Sequence, residues 1–185
     1  MRSAPLVLTG LLAACASTAV RAPAPDASPW PPLPPATLGA ERAANQRLHA
    51  AFGDREVSLD CVVQVNTRRL TVIGLVPAGP RLFNIDYDGE HVAAQRSSEL
   101  PGQLQPEFLL NDLQLTLWPL AALQSAFGHS RWSVTQGDPR TRRLLRDRRL
   151  IAEVHYAGAD PWNGRAWLVN FERGYSITID SLPLE

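Results

Sequence analysis

The sequence predicts a mainly β fold with helices (α+β): an antiparallel sheet of about nine strands, interrupted by a helical insert and preceded by one helix. Three observations carry that expectation. Val57, Leu59, Cys61, Val63 and Val65 alternate with Ser58, Asp60, Val62, Gln64 and Asn66, the period-two mark of a strand with one wet face. Asp88-Gly89 separates two strand-like runs, RLFNIDY and EHVAAQR, and Asp-Gly in that position is a strong hairpin signal. The middle stretch, PEFLLNDLQLTLWPLAALQSAFG, is too dense in leucine for a surface strand, and Pro106 and Pro119 are placed to open two short helices.

In chain order, Leu38 to Phe52 reads as the leading helix, with Leu38, Ala44, Leu48 and Phe52 on one apolar side and Gly53 as its C-terminal stop. Strands follow over Val57 to Asn66, RRLTVIGLV, RLFNIDY and EHVAAQR, with Pro77-Ala78-Gly79-Pro80 as a breaker. In the insert, Pro119 forces Trp118 out of helical geometry and so splits two helices, although alternation of Leu113, Leu115 and Leu117 leaves a strand open as an alternative. The last third returns to strands at RWSVTQ, RRLLRD, RLIAEVHY, RAWLVNFE and YSITID, joined by short loops.

The N-terminus points to export. Met1 and Arg2 precede an apolar run far shorter than the ~20 residues that span a bilayer, so residues 1–14 read as a signal peptide. Leu12-Ala13-Ala14-Cys15 closely resembles the lipobox of bacterial lipoproteins, which implies lipidation of Cys15 and cleavage before it. Two or more acyl chains give stable anchoring. Ala16, where an aspartate tends to retain lipoproteins at the inner membrane, favours by that resemblance a periplasm-facing anchor in the outer membrane. Residues 15–35 form a proline-rich tether of extended character, and 36–185 one folded domain.

Eighteen basic residues, all arginine, balance eighteen acidic ones, so no bulk field draws the protein to nucleic acid. With Cys15 lipidated, Cys61 has no disulfide partner and reads as a small buried hydrophobe. No nucleophile elbow, phosphate-binding loop, zinc motif or C-x-x-C occurs, and His49, His91, His129 and His155 are scattered. The expectation is therefore no enzyme, no cofactor and no metal. Asp86 to Gly89 reads as a polar turn, and Asn111-Asp112 and Asn170 as structural hydrogen-bonding groups with a weaker claim to recognition. Arg142, Arg143 and Arg146, within the stretch Arg140 to Arg149, are candidate contacts for anionic head groups or an acidic partner. Trp118, Trp162 and Trp167 are candidates for the border of an opening.

The order of lipobox, spacer, helix, meander, apolar insert and second meander resembles the LolA/LolB group of periplasmic lipoprotein carriers and receptors. LPPATLG, RLFNIDYDG, PEFLLNDLQLTLWP and LVNFERGYSITI more specifically resemble a family of uncharacterised Gram-negative lipoproteins often encoded beside aryl polyene pigment genes. The resemblance implies a curved antiparallel sheet or half-open β-barrel covered by the helical insert, monomeric, with an apolar cavity for a hydrophobic or acylated ligand. Phe108, Leu109, Leu113, Leu117, Trp118, Leu123 and Phe127 of the insert are then its candidate contacts. Aryl polyene lipid, a lipoprotein acyl chain or another lipid are the candidate cargoes, in that order. The alternative is an interaction or scaffold lipoprotein that docks envelope export proteins, and a lipid hydrolase or transferase is a weaker third reading. LolB's exposed leucine on a protruding loop has no placed equivalent here: Val76 to Arg81 offers no large apolar tip.

Overall fold

The computed structural model describes residues 30–102, 104–128 and 130–184. Ten strands form one sheet: β1 (Arg42–Phe52), β2 (Arg55–Val65), β3 (Leu70–Leu75), β4 (Arg81–Tyr87), β5 (Val92–Arg96), β6 (Trp132–Asp138), β7 (Thr141–Arg146), β8 (Arg149–Tyr156), β9 (Gly164–Asn170) and β10 (Tyr175–Pro183). The insert is two helices, α1 (Pro106–Leu117) and α2 (Leu120–Phe127). The spatial order is β5-β4-β3-β2-β1-β10-β9-β8-β7-β6, and every neighbouring pair is antiparallel.

Two meanders thus meet along a central seam between the first and last strands, while the edge strands β5 and β6 are joined through the helices. The edges do not pair with each other, so the sheet stays open and does not close into a barrel. Helix α1 packs on β4, β5 and β9, and α2 on β6. Strands β4 and β9 lie five spacings apart, ~24 Å in a flat sheet, whereas α1 is only ~18 Å long. The sheet curls toward the insert. Among the described residues no helix is long and apolar enough to cross a membrane.

The leading helix expected over Leu38 to Phe52 is not formed. A single 3-10 turn spans Pro35–Leu38, and the rest is β1, the sheet's central strand. Its burial alternates: Ala44, Gln46, Leu48, Ala50 and Phe52 face inward, with exposed Asn45, Arg47 and His49 between them. Alanine, leucine and arginine favour helices by only tenths of a kcal/mol per residue, and pairing on both sides with β2 and β10 outweighs that preference. Gly53, read as a helix stop, instead turns the β1–β2 hairpin at φ 58°. That correction raises the strand count to ten.

The insert matches its expected form. Pro106 occupies the first turn of α1, Trp118 is extended at ψ 152°, and Pro119 precedes α2, so the alternating-strand alternative is not realised. The Asp88-Gly89 hairpin exists but with four connecting residues, Asp88 Oδ1 accepting from the backbone N–H groups of Glu90 and His91. In β3, Gly74 is required by a close approach: a Cβ there would fall 2.1 Å from the Phe83 ring.

The tether boundary at residue 35 also moves. Trp30, Leu33, Pro35 and Leu38 are buried, so the packed unit already includes Trp30. This strap crosses α1 and is held by side chains: Gln114 accepts from the Leu33 N–H and donates to its carbonyl, at 2.8 and 2.7 Å, and Asn111 Nδ2 donates to the Trp30 carbonyl. The Tyr87 hydroxyl donates to the Pro32 carbonyl. Prolines remove donors from this segment, and the glutamine amide satisfies the backbone pair that remains. The signal peptide expected over residues 1–14, the lipidation expected at Cys15 and the expected tether up to residue 29 lie outside the described residues.

Candidate functional site

A narrow slot lies between α1 and the inner face of the sheet. Leu109, Asp112, Leu113, Thr116 and Leu117 of α1 form its roof, and Gln46, Leu48, Cys61, Val72, Phe83, Ile177 and Ile179 form its floor. The alternation that buries one face of β1, β2, β3, β4 and β10 supplies that floor directly. The slot's cavity volume is about 30 Å³, enough for about two waters and far below an acyl chain. Its walls nevertheless form one apolar surface on both sides, and parting α1 from the sheet would widen it. Burial pushes the Cys61 thiol up to about 12, with the Asp60 charge adding to it, which makes Cys61 an inert wall.

One acid sits in this apolar roof. Asp112 Oδ2 accepts from the Tyr175 hydroxyl, which in turn accepts from Asn170 Nδ2 at 3.5 Å. Burial pushes the Asp112 carboxyl up to about 6, against the hydrogen bond from Tyr175, the Arg173 charge and the hydrogen bond from Asn170. Because that value lies above the model-peptide 3.8, the folded protein holds more protons than the unfolded chain between the two. The stability linked to this group is fully present below about pH 4 and is lost as pH rises through about 6. Asp112→Asn is therefore expected to stabilise the protein by about 3 kcal/mol at pH 8 and to lose this advantage toward pH 4, as read by thermal unfolding at both values.

Of the insert residues expected at a ligand site, Leu109, Leu113 and Leu117 line the slot. Phe108 lies outside it, its ring covered by the Arg173 guanidinium. Trp118, Leu123 and Phe127 are core: the Trp118 indole donates to Thr37 Oγ1 at 2.9 Å, and Phe127 packs edge-on against Trp30. The floor was missed largely because β1 read as a helix. Its signal was the alternation of Ala44, Gln46, Leu48 and Ala50, masked by small and polar side chains.

The arginine stretch is not one docking face. Arg142 and Arg146 point inward and are buried, whereas Arg143 is exposed and bound to Glu153. Arg146 pairs with Glu172, and Arg142 donates through Nη1 to the carbonyls of Leu115 and Trp118. Alternation along β7 separates the two kinds, so charge reversal at Arg142 or Arg146 would act on folding before any partner. Asn111 and Asn170 are likewise built into the fold, the latter accepting from the Arg173 N–H. Trp162 is buried and Trp167 exposed. His49, His91 and His155 contact Ser58, Asp88 and Glu153 respectively, and among the described residues none of them belongs to a cluster that could hold a metal; His129 lies outside the described residues.

These features define a class: an open, curled antiparallel sheet in two meanders, roofed by a two-helix insert over a narrow apolar slot. The chain belongs to the family described as Protein of unknown function (DUF3261), whose family model matches residues 43–183. That span runs from the start of β1 to the end of β10 and so contains the sheet, the insert and both walls of the slot. No curated protein matches the chain.

Proposed function

We propose that this is a non-enzymatic, LolA/LolB-like lipoprotein. Lipid on Cys15 anchors it in the outer membrane facing the periplasm, and it holds a hydrophobic or acylated molecule beneath α1 to aid its transport or retention at the envelope. Aryl polyene lipid is the first candidate cargo, from the family's genomic neighbourhood. The observation that carries the reading is the slot, apolar on both walls and roofed by one short helix. Its small volume makes entry a displacement of α1 from the sheet, with the apolar chain taking over the contacts that the helix gives up.

The test uses the chain with Cys15→Ser, a fluorescent fatty acid as probe, and mass spectrometry of lipids extracted from the purified protein. Leu113→Trp should fill the slot from the half-buried roof and weaken uptake at least ~10-fold, with the melting temperature changed by only a few degrees. A protein that carries no lipid and takes up no probe, or a Leu113→Trp variant that binds normally, defeats the reading. The scaffold alternative is favoured by the nearly filled interior and by Phe171 and Leu182, exposed to 52% and 65%. An empty protein that still captures envelope export proteins through those residues would establish it.

A further inference from the structure

Six arginines on the strands and turns have carboxylate partners: Arg47 with Asp60, Arg69 with Asp86, Arg131 with Asp147, Arg143 with Glu153, Arg146 with Glu172 and Arg165 with Asp180. Arg142 differs. It is only 6% exposed, it forms no ion pair with a described carboxylate, and its Nε has no hydrogen-bond partner. Its Nη1 caps the end of α1, but the carbonyl end of a helix offsets about half a charge, and Tyr156 already donates its hydroxyl to the Thr116 carbonyl there. Its guanidinium also lies 5.5 Å from the centre of the Tyr156 ring, but a buried guanidinium without a full counter-charge is costly unless a further group completes it.

Arg142 lines a cleft outside the slot, with Arg42 from the start of β1, Asp160, Trp118, Trp162 and Pro119. The cleft's volume is about 240 Å³, against about 30 Å³ for the slot, and only Leu117 is shared between the two linings. Two guanidinium groups face one carboxylate, so the cleft has one positive charge in excess. Asp160 is itself engaged, its Oδ1 accepting from the Trp162 N–H at 2.9 Å. Indole and proline surfaces beside the charge suit an apolar body next to an anionic head.

We propose that this cleft binds a phosphate-type anion, with Arg142 as the buried counter-charge, Arg42 as a second donor at the rim, and Trp162 and Pro119 as the wall for whatever the anion is attached to. The anion is either free phosphate or the head of an amphiphile. The site does not depend on a ligand entering the slot.

Titrating the Cys15→Ser chain with inorganic phosphate, and separately with n-octyl phosphate, while following the Trp162 and Trp118 indole N–H signals by NMR, tests the proposal. Saturable shifts are expected with both. An octyl phosphate Kd ~10-fold or more below that of phosphate identifies an amphiphile head, and equal values identify the free anion. Arg42→Gln should weaken binding ~3-fold and Asp160→Asn tighten it ~3-fold, both at sites exposed enough to leave the fold intact. Arg142→Lys, which keeps the charge but loses the fork, should weaken it further. Absence of saturable shifts with either probe, or the same Kd in the Arg42→Gln and Asp160→Asn variants as in the parent, overturns the proposal.

Discussion

Replacing Arg146 by methionine is expected to lower stability by about 3–5 kcal/mol, close to the whole margin of many small domains. The Arg146 and Glu172 side chains are 9% and 2% exposed, and their ion pair ties the end of β7 to the turn after β9. The guanidinium also lies over the Trp132 ring, 5.3 Å from its centre. Methionine fills most of the volume but leaves Glu172 as a buried carboxylate without its partner, and that stranded charge dominates the cost. The double variant Arg146→Met with Glu172→Leu should therefore recover most of the loss. Urea unfolding of the two variants checks this; equal losses would mean that the pair's geometry matters more than the stranded charge.

The second large effect is expected at Trp118, where alanine should cost about 3–5 kcal/mol. This side chain is fully buried between the two helices, and its extended backbone is what lets α1 end and α2 begin. Its indole N–H holds Thr37 of the strap, and its carbonyl accepts from Arg142. Trp118→Phe keeps most of the packing, loses the hydrogen bond, and should cost about 1 kcal/mol beyond the change in volume. Hydrogen exchange separates the two: with phenylalanine the Leu33 amide, bound to Gln114, should exchange faster while central strand amides keep their protection.

The sequence showed these elements to different degrees, for physical reasons. Strands β2, β4 and β8 were legible because valine, leucine, isoleucine and tyrosine mark both their period and their propensity. The insert was legible because proline acts locally: Pro106 and Pro119 dictate their neighbours' backbone whatever surrounds them. Strand β1 was not, because Ala44, Gln46 and Ala50 are buried by partners more than a hundred residues away or across a hairpin, and their own preferences favour a helix. The strap was missed since a proline-rich run carries no period, and only Gln114 reveals what Leu33 touches. For the site, local pattern found the roof but could not find the floor, which five separate strands assemble. The roles of Arg142, Arg143 and Arg146 depend on which face of β7 each occupies, and the register with β6 and β8 decides that.

The seam between β1 and β10 also constrains how the molecule is made. Gln46 Nε2 donates to Ser181 Oγ across 135 residues of chain, at the centre of the sheet and not at its rim. Each meander has neighbours close in sequence and can zip as a run of hairpins, but the join between them needs the final nine-residue strand. A chain emerging N-terminus first therefore leaves one side of β1 bare until its last segment arrives. Assembly must outrun mispairing of that uncovered backbone with other chains, and a truncation that removes β10 would uncover the middle of the sheet, leaving two halves without a common spine.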